Sequence, residues 1–449
     1  MDLKNKKAIV IGMGVSGISS AELLKSKGAR VYVSEAAAAD RFSAITRELS
    51  AKGIFAESGK HTKEFFEGAE IVIPSPGVDL RTEQMKDLIP PGAKIIGEIE
   101  LGYIFCESPI IAVTGTNGKS TTVELIGHIL KSSAVDAFVC GNIGIPFTRV
   151  VGSMTANSVA VIEVSSFQLE TIDRFRPKIA LLLNVTDDHY DRHAGLEEYK
   201  KEKFKIFMNQ DSSDWAIIHT DLEGDPLVKD LKSNVIFYGH SRAAEDKRPA
   251  ANIVNKPDPD HEVLNSGDIP LKGKHNIDNM ICSIAASRLM GLADKEIFSA
   301  IKTFKTLDHR FETIGSFSGI QYIDDSKATN IDATRVALDS LLRPVVLIAG
   351  GRDKGGDYRQ ILSSVKEHVK LIVVIGEAKE KIRDAFGPFV NVIACGNMAE
   401  AVKAASENAR QDEIVLLSPM CSSFDMFSGY KERGDVFRRE VLSLYGAKN

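Results

Sequence analysis

Cysteine is scarce and scattered. Cys106, Cys140, Cys282, Cys395 and Cys421 are odd in number and form no C-x-x-C pair, which argues against a disulfide framework and a zinc knuckle and fits a reducing compartment. Long apolar runs are also missing, since nothing approaches the ~20 residues a membrane helix needs. The start places Lys4, Lys6 and Lys7 before an apolar run of only Ala8 to Ile11, too short for a secretory signal. Basic residues are not in excess: 56 Lys and Arg face 61 Asp and Glu, a net charge of -5, so no global positive field is present to hold nucleic acid or anionic lipid. No short sequence repeat is present. These absences fit a cytoplasmic protein, neither secreted nor membrane-spanning, in which a partner such as nucleic acid or a membrane surface would need a local positive patch.

What is present suits globular folding. The chain has 449 residues, 43% hydrophobic and 26% charged, enough for about three domains each with its own core. Short apolar runs alternate with helical stretches, the pattern of α/β layers with largely parallel sheets, and the pattern restarts three times. The first unit has predicted strands at Lys7 to Gly12, Arg30 to Ser34 and Glu70 to Pro74, and Pro90-Pro91-Gly92 with the approach to Glu98 reads as its exit. The second has Ile110 to Thr114, Val159 to Val164, Ile179 to Val185 and Trp215 to His219, a late helix from Asn276 to Leu292, and a polar surface excursion at Ser241 to Pro259. The third has Gln321 to Asp324, Pro344 to Ala349, Leu371 to Ile375 and Glu413 to Ser418.

Gly12-Met13-Gly14-Val15-Ser16-Gly17 follows the first strand, and Glu35 ends the next, matching the dinucleotide fingerprint G-x-G-x-x-G plus acid. Physically the glycines give a tight turn that brings amides and a helix N-terminus to a diphosphate, so NAD(P) and other nucleotide diphosphates both remain open. GTNGKST at Gly115, Thr116, Asn117, Gly118, Lys119, Ser120 and Thr121 sits between a strand and a helix-compatible segment. This is a P-loop arrangement: amides cradle phosphates, Lys119 meets the β and γ oxygens, and Ser120 reaches Mg²⁺. Val113 stands where the first glycine of the general pattern falls, so the loop is a variant. The competing reading is a glycine turn with one lysine.

Glu163 ends a buried strand, where ligands of α/β sheets bind, and suits a Mg²⁺ ligand; the bland alternative is a strand-end residue reaching solvent. NVTDDHYDRH gathers Asp187, Asp188, His189, Asp191 and His193 past another strand end, either a metal site or an exposed polar turn. Lys200, Lys201, Lys203 and Lys205 on a predicted helix read from composition as a solvated basic face. Asp324 to Asn330 is a polar turn with two uses, a site or an Asx turn capping the next helix.

Taken in order, these segments resemble the Mur ligase family, the ATP-dependent amide-forming enzymes of peptidoglycan precursor synthesis. The match spans nearly the whole chain through GTNGKST, GNIG at Gly141 to Gly144, EVSSFQLE at Glu163 to Glu170, NVTDDHYDRH and KGKHNIDN at Lys272 to Asn279. LDHRFE at Leu307 to Glu312, DSKATN at Asp325 to Asn330 and SPMCSSFDMFSGYKERG at Ser418 to Gly434 are similar to the D-glutamate-adding branch. The resemblance implies three α/β domains: a Rossmann-like UDP-binding domain at 1–97, a central ATP-binding P-loop domain at 98–306 and a Rossmann-like amino-acid-binding domain at 307–449. It implies ligation of D-glutamate to UDP-N-acetylmuramoyl-L-alanine through an acyl phosphate, by a cytoplasmic monomer using ATP and two Mg²⁺.

It also assigns residues. Val15, Ser16, Glu35, Ser75 and Gly77 become contacts to UDP rather than NAD. Lys119 binds ATP phosphates, Ser120 and Glu163 hold the first Mg²⁺, and His189 with a carbamylated Lys203 the second. Lys203 is chosen over Lys201 on the pattern Tyr199-x-x-x-Lys203. Asn142 lies near substrate and phosphates, Asn276 and Asn279 near adenine, His309 and Arg310 at a hinge to ATP, and Asp325 toward the ribose. Lys327, Thr329, Lys354, Ser423 and Phe424 form the glutamate pocket. Two rivals remain: a folylpolyglutamate synthase, which should lack GMGVSG and DSKATN, and a nicotinamide dehydrogenase, which leaves the P-loop unused.

Overall fold

The computed structural model describes residues 1–186, 195–239, 274–305 and 307–446, with 274 and 275 given as backbone only. The chain packs as two compact units. The first is built mainly from Met1–Asn184 with Asp278–Thr303, and the second mainly from Phe304 onward. Among the described residues no helix is long and apolar enough to cross a membrane.

The first unit holds two sheets. One contains β1 (Lys7–Ile11), β2 (Arg30–Glu35), β3 (Phe55–Ser58), β4 (Ile71–Pro74) and β5 (Lys94–Ile95), all parallel in the order β3-β2-β1-β4-β5. The other contains β6 (Ile110–Thr114), β7 (Ala137–Gly141), β8 (Val159–Glu163), β9 (Ile179–Leu182), β10 (Trp215–His219) and β11 (Asn234–Tyr238), parallel in the order β11-β10-β9-β6-β8-β7. β5 lies between Pro90-Pro91-Gly92 and Glu98, so the stretch read as the exit from this unit adds a short edge strand to the first sheet.

The second unit holds β12 (Glu312–Phe317), β13 (Ile320–Asp324), β14 (Val345–Gly350), β15 (Val369–Ile375), β16 (Asn391–Ala394) and β17 (Ile414–Leu417), in the order β12-β13-β17-β14-β15-β16. This sheet is parallel except at one edge, in keeping with the expectation of largely parallel sheets. β12 joins β13 antiparallel, because only Ser318 and Gly319, both at positive φ, separate the two strands and a tight hairpin can link only antiparallel neighbours. The architecture is three α/β domains, two with parallel sheets and one mixed.

Interior strands such as β6, β14 and β17 are buried at every position, as expected where helices cover both faces of a parallel sheet. Each sheet carries its loops of interest at strand C-termini, and in the first two these flank the point where strand order reverses, beside β1 and β6.

The two sheets of the first unit are joined by the helix Glu98–Ile104, which carries two buried carboxylates. Glu100 accepts from the amides of Asp173, Arg174 and Phe175, each at 2.9 Å. Glu98 accepts from the Thr148 amide at 2.7 Å and its hydroxyl at 2.8 Å, and burial pushes its carboxyl up to about 7. A carboxyl raised in the folded state binds more protons there than when unfolded, so its contribution is full below its ordinary value and lost as pH rises through about 7. Glu98→Gln keeps an acceptor for Thr148 without the charge. It is expected to flatten the fall in stability between pH 5 and 8 and to gain roughly 1–3 kcal/mol at the upper end, read from denaturant midpoints at both pH values.

Candidate active site

The first strand of the chain ends in the glycine turn. Gly12 has φ +105°, and a Cβ there would lie 2.4 Å from the Ser75 hydroxyl, so the turn after β1 and the loop after β4 approach as closely as atoms allow. The helix Val15–Ser26 starts at Gly14 with no side-chain cap, leaving its positive end toward the turn. Val15 is exposed, Ser16 half-buried, Ser75 half-buried and Gly77 exposed. Glu35 has a job of its own: its carboxylate accepts from the Met13 amide at 2.9 Å and the Ala37 amide at 2.9 Å, holding the glycine turn in shape.

The P-loop follows β6, with the C-terminal ends of β8 and β9 on either side. Gly118 has φ +86° and caps the helix Lys119–Ser132; a Cβ there would sit 2.5 Å from the Asn279 amide oxygen. Asn279 is therefore placed against the loop, on the helix Lys274–Leu289 that also carries Asn276 one turn earlier. Lys119 Nζ donates to the Gly115 and Thr116 carbonyls, both at 2.8 Å, curled over its own loop. Ser120 Oγ donates to buried Glu163 at 2.5 Å, and Asn142 donates to the other Glu163 oxygen at 3.0 Å. Thr121, next on the helix, is buried. The strand-end alternative for Glu163 fails, since its carboxylate is enclosed and aimed at the P-loop serine.

Lys203 overturns the reading of its helix as a uniformly solvated basic face. On the helix Leu196–Phe204, Lys201 is exposed while Lys203 is 1% exposed, and its ammonium donates to the Gly115 carbonyl at 2.8 Å. Helical geometry turns residues 199 and 203 to one face, and Tyr199 is buried with it. His189, with Asp187, Asp188, Asp191 and His193, lies outside the described residues, as does the 241–259 excursion.

In the second unit the polar loops follow adjacent strands. Asp325, Lys327 and Thr329 come after β13, Ser423 and Phe424 after β17, and Lys354 after β14. The capping reading of the 324–330 turn holds, since Asn330 caps the helix Ile331–Asp339 through the Ala333 amide at 2.8 Å; in the same turn Lys327 lays its ammonium over Tyr430, 4.2 Å from the ring centre. The Thr329 amide donates to the Lys327 carbonyl at 2.8 Å. Asp325 accepts from the Ser418 hydroxyl at 3.0 Å and the Phe311 amide at 3.2 Å, and desolvation pushes its carboxyl up to about 7. His309 is buried at φ +62° with Nδ1 2.7 Å from Asp324, whose hydrogen bond raises the imidazole above its ordinary range, and Arg310 beside it is half-buried. Ser423 is buried and Lys354 half-buried, whereas Phe424 is 64% exposed, so its ring lines no closed pocket here.

Two residues that carry these loops were not anticipated. Asn184 exchanges bonds with Asn117, donating to its carbonyl at 3.0 Å and accepting from its amide at 2.8 Å, and its own carbonyl takes the Thr116 amide at 3.0 Å. It opens NVTDDHYDRH, where the acids and histidines drew attention instead. Arg433 is 1% exposed and ties two C-terminal loops, donating to the Ser326 hydroxyl at 3.0 Å, the Ser326 carbonyl at 2.8 Å and the Cys421 carbonyl at 3.1 Å. It lies within SPMCSSFDMFSGYKERG, where Ser423 and Phe424 were singled out instead.

Three family descriptions match the chain: the Mur ligase MurD-like N-terminal domain at 6–97, the Mur ligase middle domain at 113–287 and the Mur ligase glutamate ligase domain at 309–421. The chain is 40% identical over 99% of both chains to a UDP-N-acetylmuramoylalanine–D-glutamate ligase of Pelotomaculum thermopropionicum, and 39% identical with the same coverage to one of Koribacter versatilis. In fold it is similar to MurF ligase from Thermotoga maritima in complex with ADP, with TM-score 0.59, 14% identity and 98% and 99% of the two chains covered. A folylpolyglutamate synthase from Mycobacterium tuberculosis is similar over 78% of this chain and 93% of its own, with TM-score 0.55 and 15% identity. The N-terminal glycine turn, the P-loop paired with Glu163 and the C-terminal loops thus occur together, in order, in a chain that belongs to the Mur ligase family.

Proposed function

We propose that the protein joins D-glutamate to UDP-N-acetylmuramoyl-L-alanine at the expense of ATP, with 1–97 binding the uridine diphosphate, 98–306 ATP and 307–449 the amino acid. The observation that carries this reading is the P-loop, where Lys119, Ser120 and Glu163 converge beside a helix N-terminus. A carboxylate is a poor electrophile. Attack of the alanine carboxylate on the γ-phosphate gives an acyl phosphate and ADP, and the glutamate amine then displaces phosphate through a tetrahedral intermediate. Lys119 and the loop amides offset the charge gathered during transfer.

Ser120 and Glu163 fit Mg²⁺, being hard oxygen donors already 2.5 Å apart, and His189 with Lys203 as its carbamate would serve a second ion. Bound Mg²⁺ supplies positive charge at the phosphates. Two ammonium groups, Lys119 and Lys203, converge on the one Gly115 carbonyl, each at 2.8 Å, and a carbamate on Lys203 turns that repulsion into attraction. Asn142 lies toward substrate and phosphates, Asn276 and Asn279 toward adenine, and Arg310 and Asp325 toward the ribose side of ATP. Val15, Ser16, Ser75 and Gly77 contact UDP, with Glu35 acting through the turn it holds.

The deciding assay is phosphate release from ATP with UDP-N-acetylmuramoyl-L-alanine and D-glutamate, against dihydropteroate and L-glutamate; activity with the second pair alone reverses the assignment. Calorimetry is expected to give binding of the UDP-linked substrate and none of NAD. Lys327, Thr329, Lys354 and Ser423 hold the two carboxylates of D-glutamate so that its amine faces the acyl phosphate. Lys354→Ala is expected to raise the KM for D-glutamate roughly ten- to a hundredfold, with ATP binding nearly unchanged. Loss of ATP binding in that variant would contradict the pocket.

A further inference from the structure

Lys354 stands in the loop between β14 and the short helical turn Tyr358–Ile361, and the residue before it fixes the shape of that loop. Asp353 Oδ1 accepts from the Gly355 amide at 3.2 Å, an Asx turn with Lys354 at its apex. The same oxygen accepts from the Tyr358 hydroxyl at 2.9 Å, and Oδ2 is paired with Lys381 on the helix Lys379–Phe386. The Tyr358 hydroxyl is also 3.1 Å from Cys421 Sγ. With its one proton given to Asp353, the hydroxyl oxygen is the acceptor on the other side, so the thiol donates.

The protons on this chain are fixed near neutral pH. Burial pushes the Cys421 thiol up to about 12 and also raises the Tyr358 hydroxyl, so both stay protonated. Desolvation works against the charge on Asp353, but Lys381, Tyr358 and the Gly355 amide outweigh it and hold the carboxyl below its ordinary value. Cys421 lies two residues before Ser423 in the loop after β17, and the Arg352 amide donates to the Ser422 carbonyl at 2.9 Å. The side-chain chain Cys421–Tyr358–Asp353 therefore spans from one carboxylate-binding loop to the other, and the Tyr358 ring is packed in the core beneath them.

We infer that Asp353 and Tyr358 are positioning residues for amino-acid selection: they hold Lys354, at the apex of its turn, at a set distance from Ser423, and so match the site to a dicarboxylate amino acid. The inference rests on the reading of Lys354 and Ser423 as the glutamate pocket. Neither positioning residue touches the substrate. Their effect is geometric, and in such sites a misplacement of about 1 Å costs roughly a hundredfold.

Tyr358→Phe keeps the packed ring and removes only the hydroxyl. The KM for D-glutamate is expected to rise roughly five- to twentyfold, with the KM values for ATP and the UDP-linked substrate within about twofold. In a Lys354→Ala background the same change is expected to add nothing, because the lysine it positions is gone. Asp353→Asn, which keeps an acceptor for Gly355 and Tyr358, is expected to retain more D-glutamate affinity than Asp353→Ala. An unchanged KM for D-glutamate in Tyr358→Phe overturns the proposal, as does a full multiplicative effect in the Lys354→Ala background. If Tyr358→Phe does not fold, equal KM values for Asp353→Asn and Asp353→Ala overturn it. A Lys354→Ala enzyme with normal D-glutamate KM overturns the pocket reading itself, so the two failures are told apart.

Discussion

Replacing Lys119 with alanine is expected to slow turnover about a thousandfold in a folded protein. Its ammonium spans the Gly115 and Thr116 carbonyls at 2.8 Å, inside the curve of the loop where phosphate oxygens would gather. Lys119 is the first residue of the helix Lys119–Ser132, so alanine, a strong helix former, leaves that helix and the Gly118 cap intact. In the proposed mechanism, what is lost is one positive charge that meets the transferring phosphoryl group. If that contact is worth ~4 kcal/mol at the transition state, the rate falls about 10³-fold. Steady-state phosphate release, with circular dichroism as the folding control, measures it. Near-normal turnover in the folded variant would place phosphoryl transfer elsewhere.

Lys203→Ala is expected to be nearly inactive, slowed by at least about a hundredfold, and partly restored by formate or acetate. A buried ammonium is expensive, and here it shares a carbonyl with Lys119. Carbon dioxide adding to the amine removes the positive charge and supplies an anionic oxygen ligand, which short carboxylates can imitate in the space alanine leaves. A readout independent of turnover is carbon-13 resonance after equilibration with labelled bicarbonate: a carbamate signal present in the wild type and in Lys201→Ala and absent in Lys203→Ala. Full activity without that signal would rule out the modification.

The contrast between these two lysines and their neighbours marks how far the chain could be read unaided. The P-loop is contiguous, and strand, turn and helix all announce it, so Lys119 and Ser120 stand out from spacing alone. Lys203 sits among three other lysines, and only its helical phase beside Tyr199 separates it from a solvated face. The interior strands were all legible as apolar runs. The six that were not, β3, β5, β7, β11, β12 and β16, are the edges of the three sheets. An edge strand is covered on fewer sides, so β3, β5 and β16 contain no fully buried residue and offer at most a few consecutive apolar residues to recognise. Glu35 was read as a ligand contact because acid at a strand end is the usual signal, and its bonds to the amides of Met13 and Ala37, which shape the glycine turn, are not visible in that signal. Arg433 and Tyr358 were invisible for a different reason: their partners are far apart in sequence, and no local pattern encodes a bond to a distant carbonyl or thiol.

The order of strands in the last sheet bears on how the chain is made. β17 is the final strand in sequence but lies between β13 and β14, and Arg433, which secures the loops around it, lies later still on the helix Tyr430–Leu444. A ribosome that has synthesised everything before Ile414 has produced two strands, β13 and β14, whose inner edges face no neighbour. The first unit contains neither element. The two sheets of the first unit can therefore complete during elongation, whereas the last sheet closes only once β17 is made, and a chain lacking the helix Tyr430–Leu444 would keep that sheet's strands but lose the Arg433 tie between the Ser326 and Cys421 loops.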